Sequence, residues 1–322
     1  MSSKIGHGSF GESDRPGSHS TNSSISSFYP PIVGAAENLA SGAQSRYFWT
    51  TRADLLLLVA AASMIVFFVL AEDRLWDTNQ GRNQLFRLAM PLLLGGSFAA
   101  KILNRKRDVE GQWIQARAVA ERVKSLSWRY AMHVSPFTDG LSATESDAAF
   151  EEQVVHLAGA LASSAEGSET GPWQNVRVTT SMRDLRNLET GLRQQIYLRD
   201  RLVDQVDWYT RRAIRSKRAS RRWYQRSVTI KALSLIAAIL AVFWLPVAVF
   251  VGFGTTLGAS ALAASKLGRH EEVQRRYAQA GSELTLLRAR IAEATDNASL
   301  AAGVEAAENV ISREHAIWIG RL

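Results

Sequence analysis

Residues 232–265 read ALSLIAAILAVFWLPVAVFVGFGTTLGASALAAS, and no charged side chain interrupts them between the two lysines that flank the tract. As one α-helix the tract would be about 51 Å long, whereas the hydrocarbon core of a bilayer is about 30 Å thick. Pro246 lies near its middle, and proline disrupts a helix interior. We therefore predict a transmembrane helical hairpin that crosses at residues 228–245 and returns at 247–266. A single kinked helix that projects beyond the membrane is the alternative.

A weaker pair of apolar tracts lies upstream and predicts a second hairpin. Residues 55–71 are uncharged and have a tryptophan on either side, which is typical of membrane interfaces. Residues 85–103 include Arg87 and Lys101 near their ends, from which long basic side chains reach lipid headgroups. We expect both tracts to span the membrane. For residues 85–103, an amphipathic helix lying on the membrane surface is the alternative.

Basic residues beside the predicted spans indicate an orientation. An Arg-Lys-Arg run at residues 105–107 follows the second span, and a larger basic cluster precedes the third. Because basic residues near span ends stay on the cytoplasmic side, we expect both termini and the long middle segment to be cytoplasmic in a multi-pass protein. The basic cluster consists of Arg211, Arg212, Arg215, Lys217, Arg218, Arg221, Arg222 and Arg226.

The net charge of +8 over 322 residues invites a nucleic-acid interpretation. Most of the excess, however, lies beside the predicted spans, so we predict the lipid bilayer as a partner and no nucleic acid. Attraction to anionic lipid, at about 1 kcal/mol per basic residue near the surface, accounts for the basic cluster. Binding of an anionic messenger by the same cluster is the alternative that the sequence leaves open.

Several kinds of chemistry find no support in the residues. The chain has no cysteine, which excludes disulfides and thiolate metal sites, and its histidines lack helical ligand spacing. We see no nucleophile with a base and an orienting partner, so we expect no enzyme, no cofactor and no metal. The N-terminus begins with a long polar stretch, and therefore no cleavable signal peptide is predicted.

The chain is expected to be all-α and to divide into four parts. Residues 1–42 are rich in Ser and Gly and are expected to be a disordered tail. Residues 43–134 form the first hairpin module, and 135–180 form a cytoplasmic connector with one short helix, for which Thr144 and Asp147 suggest a capping box. Residues 181–322 form the second module, with a long helix from Ser181 into the third span, the second hairpin and C-terminal helices. Apolar residues recur in a heptad-like pattern after the fourth span. They are Val273, Tyr277, Ala280, Leu284, Leu287 and Ile291.

Small residues follow one face of the returning segment of the second hairpin. Glycine and other small residues at one-turn spacing let helices approach closely in a membrane. We therefore expect this face to pack against another helix, rather than to form a dinucleotide-binding loop, since no strand precedes it. The face consists of Gly254, Gly258, Ala261 and Ser265.

Two stretches resemble a known family. Residues 120–130 (AERVKSLSWRY) and 197–213 (YLRDRLVDQVDWYTRRA), with part of the C-terminal helix, are similar to the SLATT family, the SMODS- and SLOG-associating two-transmembrane effector domains of bacteria. The resemblance covers about residues 45–320 as two hairpin modules in tandem. Its motif residues are Glu121, Lys124, Trp128, Arg129, Tyr130, Arg201, Asp204, Gln205, Trp208, Tyr209, Glu314 and Trp318.

The resemblance implies a membrane effector in a nucleotide-signalled conflict or defence system, located in the bacterial cytoplasmic (inner) membrane. It also implies a homo-oligomer that forms a pore or perturbs the membrane, with a nucleotide-synthesising or sensor protein as a possible partner. A membrane-anchored helical adaptor that recruits a protein without forming a pore is the alternative function. A housekeeping transporter is disfavoured because the predicted spans hold no internal charged residue to mark a pathway.

Two groups of motif residues leave their roles open. Trp128, Arg129 and Tyr130 could stack on a planar or phosphorylated ligand, since arginine and aromatic side chains recognise such groups, or they could pack helices together. The neighbouring turns from Asp204 to Tyr209 are expected to fix the contact between the long helix and other cytoplasmic helices.

Overall fold

The structure is a computed structural model, and it describes residues 27–75, 88–89, 91–99, 101–102, 108–162, 176–244, 247–268 and 270–319. Within these ranges the side chains of residues 65, 68–75, 248–249, 261, 263–268, 270–271, 273 and 314–319 lie outside the description. Every regular element of the described residues is helical, which confirms the all-α part of the expected fold.

Nine α-helices and one π-helical turn follow one another in the described chain, besides helical residues 91–99. Several of the connections between them are tight turns, as is usual between neighbouring helices. The helices are α1 (Pro31–Leu75), α2 (Val109–Ala131), α3 (Ala143–Ala162), α4 (Thr180–Arg186), α5 (Thr190–Tyr197), the π-helical turn Leu198–Leu202, α6 (Val203–Ala241), α7 (Ala248–Gly268), α8 (His270–Ala292) and α9 (Asn297–Ile319).

The chain divides into two compact units that alternate along the sequence. Unit 1 contains Met1–Ser45, Glu110–Arg212 and Arg276–Leu322, and unit 2 contains Arg46–Val109 and Ala213–Arg275. The helices α1 and α6 each contribute one end to each unit. Both candidate modules of the sequence therefore contribute to both units.

The first helix begins inside the segment that was expected to be disordered. It starts at Pro31, where proline is well tolerated because a first-turn N–H has no partner within the helix. Ile32, Ala36, Ala40 and Ala43 recur at three- and four-residue steps and are buried in unit 1. This stripe is composed mostly of alanine, so its small apolar area gave little sign of a helix in the sequence. Residues 1–26 of the expected tail lie outside the described residues.

The long helix expected from Ser181 is divided by a turn. The side chain of Thr179 caps α4 by accepting the Met182 N–H at 3.2 Å. The helix ends at Arg186, and the Asn187 N–H bonds back to the Arg183 carbonyl at 3.0 Å. A new helix, α5, then starts at Thr190. The prediction of a continuous helix from Ser181 was wrong, because the turn at residues 187–189 separates α4 from α5. Arg186, the last residue of α4, is buried in unit 1.

Unit 2 contains two pairs of antiparallel helices. A Cβ built on Gly254 of α7 would lie 3.1 Å from Ser234 Cβ of α6, and one on Gly258 would lie 3.7 Å from Ile230 Cγ2. In the other pair, a Cβ on Gly96 would lie 3.5 Å from Leu57 Cδ1 of α1, and the Ser97 hydroxyl bonds to the Asp54 carboxylate. Residue numbers rise on one helix as they fall on the other, so each pair is a hairpin.

The predicted transmembrane spans are not found. Among the described residues, no helix combines the length with the apolar character that crossing a bilayer requires. The polytopic membrane fold, with spans at 55–71, 85–103, 228–245 and 247–266, was therefore wrong on this finding. Residues 85–87, 90, 100, 103 and 245 of those spans lie outside the described residues.

The physical reason is clearest in the second hairpin. The helix α6 ends at Ala241, so its uncharged part after Lys231 is about 15 Å long, half of the roughly 30 Å hydrocarbon core. The helix α7 is longer, but glycine, serine and threonine interrupt its apolar residues. The unbroken lack of charge in the sequence thus overstated the apolar length of α6 and the apolar character of α7.

Candidate functional site

The candidate site is a buried polar network in unit 1, built from motif residues of both halves of the chain. On α2, Glu121, Lys124 and Trp128 follow at steps of three and four residues, so they lie on one face of the helix. All three side chains are buried. Charged residues are almost never fully buried without a partner, so we expect an oppositely charged side chain next to each buried charge in this network.

Lys124 forms ion pairs with two carboxylates. Its Nζ lies 2.5 Å from Glu37 Oε1 of α1 and 3.4 Å from Glu121 Oε1 one turn earlier on α2. Burial alone would lower the pKa of Lys124, but the two carboxylates, Glu121 first, outweigh it, and the pKa is raised above its usual value. The lysine is therefore held in its charged form and ties α1 to α2.

Arg201 and Glu308 form a second ion pair, which is bidentate. Arg201 Nε lies 3.0 Å from Glu308 Oε1, and Nη2 lies 3.0 Å from Oε2, with 3% and 0% of the two side chains exposed. The Tyr197 hydroxyl donates to Glu308 Oε1 at 3.1 Å. Burial would lower the pKa of Arg201, yet the Glu308 carboxylate outweighs it and raises this pKa well above the usual value. The pair joins the π-helical turn to α9.

Aromatic rings connect the two ion pairs. The Trp128 indole N–H donates to the Tyr29 hydroxyl at 2.9 Å, and the Trp128 ring meets Tyr197 edge to face at a centroid distance of 5.5 Å. Burial raises the pKa of the Tyr29 hydroxyl above its usual value, although the nearby positive charges of Arg201 and Lys124 act in the opposite direction. Trp128 is only 2% exposed, so the structure places it in helix packing and leaves no open ring face for a ligand.

The π-helical turn explains how Arg201 reaches the interior. At this turn the Val203 N–H bonds to the Leu198 carbonyl, five residues back. One extra residue in the turn shifts the helical register, and both Arg201 and Leu202 point inward. Single π-turns of this kind are frequent at functional sites. Here the turn lies between α5 and α6, directly after the buried Tyr197.

A second polar cluster surrounds Arg186, a residue that no motif or spacing in the sequence singles out. Its guanidinium lies over the Tyr130 ring at 4.9 Å and donates through Nη1 to the carbonyls of Tyr130, at 2.5 Å, and Phe137, at 3.0 Å. The Tyr130 hydroxyl donates to Asp147 at 2.5 Å, and burial followed by this bond raises the Tyr130 pKa. Asp147 is thus a partner of Tyr130, while Ser142 and Glu145 form the capping box two residues earlier than expected.

Other motif residues take part in helix contacts. Arg129 Nη2 donates to the Asn309 side chain of α9 at 2.5 Å. Trp208 and Tyr209 of α6 are buried against Tyr277 of α8, with centroid distances of 5.3 and 5.4 Å. Gln205 on the same helix is buried, whereas Asp204 is exposed. These contacts are of the kind expected for the long helix.

Not all predicted site residues can be placed. The side chains of Ala261, Ser265, Glu314 and Trp318 lie outside the described residues. Gly254 and Gly258 face α6, as stated above. Within the part of the chain that the structure describes, no group of three or more histidine and carboxylate side chains is arranged to hold a metal ion.

Comparison with known families gives two adjacent matches. Residues 30–194 match the SMODS and SLOG-associating 2TM effector domain 3, and residues 197–318 match the SMODS and SLOG-associating 2TM effector domain 1. No curated protein and no solved structure matches the chain. The two matches meet just before the π-helical turn, and the buried network draws on both.

Domains of this kind are associated with effector roles in conflict and defence systems. The family matches also confirm the resemblance to this family that the sequence predicts. The chain therefore belongs to the SLATT family of SMODS and SLOG-associating 2TM effector domains and carries two such modules in tandem.

Proposed function

We propose that the chain is an effector of a bacterial conflict or defence system that acts on a membrane as a homo-oligomer, by forming a pore or otherwise perturbing the bilayer. The family description supports the effector role and associates such domains with a membrane. We further propose that a nucleotide-synthesising or sensor protein activates it and that the chain itself is not an enzyme.

The observation that carries the proposal is the exposed apolar surface of unit 2. Soluble monomeric proteins rarely expose contiguous apolar patches beyond a few hundred Å², and larger ones mark membrane or protein contacts. The fractions exposed at the end of α6 and just after it are extreme, at 79% for Val242 and 86% for Phe243. Other exposed apolar side chains of this unit include Trp49, Leu56, Phe67, Leu92, Phe98, Leu233, Leu235, Ile236, Ile239, Leu240 and Trp244.

Unit 1 differs in this respect. Its exposed large apolar side chains, among the described residues, are Val155, Leu188, Leu192 and Leu286, which are scattered over several helices. Isolated exposed apolar residues are normal on any protein surface. The contrast favours unit 2 as the part that meets lipid and unit 1 as the part that holds the helices together.

The alternative function, a helical adaptor, is no longer favoured by the heptad-like residues of α8. The heptad-like residues of α8 were expected to offer a seam to a partner helix. Tyr277, Ala280, Leu284 and Ile291 are instead buried within unit 1. A partner helix would have to bind another surface of the protein, so these residues do not favour the adaptor over the effector.

The test is membrane depolarisation in bacteria that express the full chain, followed with a potential-sensitive dye. We expect the unchanged chain to depolarise the membrane and a triple variant, Val242→Ser, Phe243→Ser and Trp244→Ser, to leave the potential intact. The matched control replaces the exposed residues Val155, Leu192 and Leu286 of unit 1 by serine and should still depolarise. Equal activity of both triple variants, at equal expression, would contradict the role assigned to unit 2.

A further inference from the structure

Four arginines of the basic cluster lie on one side of α6, in the part of the helix that belongs to unit 2. Arg218, Arg221, Arg222 and Arg226 follow at steps of three, one and four residues, so they share one side of the helix, and we call them the basic face. No acidic residue occurs between Asp207 and Glu271 in the sequence. In the part of the chain that the structure describes, Arg218, Arg221 and Arg222 are exposed and form no ion pair with a carboxylate.

Aromatic rings accompany the basic face. The Arg226 guanidinium lies over the Trp223 ring, 5.3 Å from its centroid, and Tyr224 is 71% exposed. Arg222, Trp223 and Arg226 line an open groove of about 400 Å³ together with Gln225, Thr229 and Ile230. Tryptophan, tyrosine and arginine together are typical of the boundary between water and lipid.

Exposed apolar side chains continue along the same helix. Val228 is 47% exposed, and Leu233, Leu235 and Ile236 are exposed by more than half. Arg226 and Leu233 are seven residues apart, about 10 Å along the helix axis. A phosphate-bearing surface that also offers apolar contact within about 10 Å therefore fits this helix, and a lipid surface has that composition.

From this juxtaposition we infer that the basic face of α6 binds the phosphate groups of anionic lipid headgroups while the adjoining apolar side chains contact the acyl boundary. The inference rests on the proposed action at a membrane and adds selectivity for negatively charged lipid. A nucleic acid would satisfy the arginines but would leave the neighbouring leucine and isoleucine side chains in water.

The experiment is flotation of the purified full chain with two kinds of vesicle, one of phosphatidylcholine and one in which phosphatidylglycerol replaces a third of it. We expect tighter binding to the anionic vesicles and weakening of that binding as salt is raised, because salt screens exposed charges. Arg218→Gln with Arg222→Gln should reduce the affinity for anionic vesicles about 30-fold, given the usual contribution of each basic residue near such a surface. The same variant should bind phosphatidylcholine vesicles like the unchanged chain.

The matched control is Arg288→Gln with Arg290→Gln on α8, which removes the same charge from two exposed arginines of unit 1. An equal loss in this control would show a dependence on net charge alone and overturn the inference. Equal binding of the unchanged chain to both kinds of vesicle would also overturn it but would leave the proposed function standing. Binding to neither kind would refute both, and tighter binding to a DNA duplex at the same salt would assign the basic face to nucleic acid instead.

Discussion

At the scale of single residues, the buried charges of unit 1 depend on one another. Arg201 and Glu308 are almost fully buried, so water cannot solvate either charge if its partner is lost. A buried pair contributes little to stability relative to apolar residues of the same volume, but losing one partner leaves an uncompensated buried charge. The pair is therefore better regarded as a device that fixes the position of the π-helical turn against α9.

Replacing Glu308 by glutamine should accordingly lower the free energy of unfolding by about 3–5 kcal/mol. The control is Glu283→Gln, which removes the same charge from an exposed pair, since Glu283 lies 2.6 Å from a half-exposed Arg313. Exposed pairs contribute about 1 kcal/mol or less, so this change should be small. Urea unfolding of both variants provides the measurement, and similar losses would show that the Arg201–Glu308 pair is not buried as described.

The glycines of α7 provide a second comparison between residues. A Cβ at Gly254 would lie 3.1 Å from Ser234 Cβ and 3.7 Å from its Cα, whereas a Cβ at Gly252 would meet nothing within 4 Å. Both Gly→Ala changes gain about 1 kcal/mol of helix propensity, but only Gly254→Ala adds a steric cost of about 1–3 kcal/mol. We expect Gly252→Ala to raise the thermal midpoint and Gly254→Ala to leave it unchanged or lower. Equal midpoints would mean that α6 and α7 do not approach closely at Gly254.

At the scale of elements, one aromatic cluster joins α6 to α8. Trp208 is 4% exposed and contacts Tyr209 and Tyr277, while Arg117 of α2 lies 6.0 Å from its ring centroid. Trp208→Ala should lower the free energy of unfolding by about 3–5 kcal/mol because it leaves a large cavity. Tyr224→Ala on the same helix removes a 71% exposed ring and should change stability by about 0.5 kcal/mol or less. A large loss for Tyr224, or none for Trp208, would contradict the packing of α6.

Periodicity predicted the helices well where the buried stripe is composed of large residues. Phe150, Val154 and Leu161 of α3 recur at helical spacing and are buried, and so do Val304 and Ile311 of α9. Near Ser181 the same spacing misleads, because Leu188 and Leu192 follow Leu185 at three- and four-residue steps but are 37% and 42% exposed. There the turn after Arg186 shifts the register, and its residues 187–189 include no proline or glycine that would mark its position in the sequence.

The transmembrane hairpins show a different limit. Helical hairpins are found at both expected places, since Gly254 faces Ser234 and Gly96 faces Leu57. Hydropathy located these pairs but not the ends of their helices, and α6 ends at Ala241 in the middle of an uncharged run. Lack of charge therefore predicted an association of helices correctly and the apolar length of α6 incorrectly.

At the scale of the whole molecule, the buried network could not be foreseen as a network. The motif residues Lys124 and Arg201 were selected from the sequence, but their partners Glu37 and Glu308 lie far away along the chain. Glu37 even lies in the segment expected to be disordered. Helical periodicity reports which face of a helix is buried, and it carries no information about which helix covers that face.

The network gives the protein a predictable response to alkali. The pKa values of Lys124, Tyr29 and Tyr197 are all raised above their ordinary values of 10.5, 10.0 and 10.0 in the folded state. Their contribution to stability is therefore complete below about pH 10 and is lost as the pH rises through the higher folded-state values. The urea midpoint should fall as the pH rises from about 10 to about 11, and less steeply in Tyr197→Phe than in the exposed control Tyr224→Phe. A midpoint independent of pH in this range would contradict the burial of these groups.

We propose that this chain damages a bilayer directly, and release of a trapped dye from anionic lipid vesicles by the purified full chain tests this proposal. We expect release whose rate rises more steeply than the first power of protein concentration, because the proposed acting species is an oligomer. The Val242→Ser, Phe243→Ser and Trp244→Ser variant should release little dye at the same concentrations. Vesicles that bind the unchanged chain, in the presence of the proposed activating partner, and still retain their dye would contradict direct damage to the bilayer and favour the adaptor.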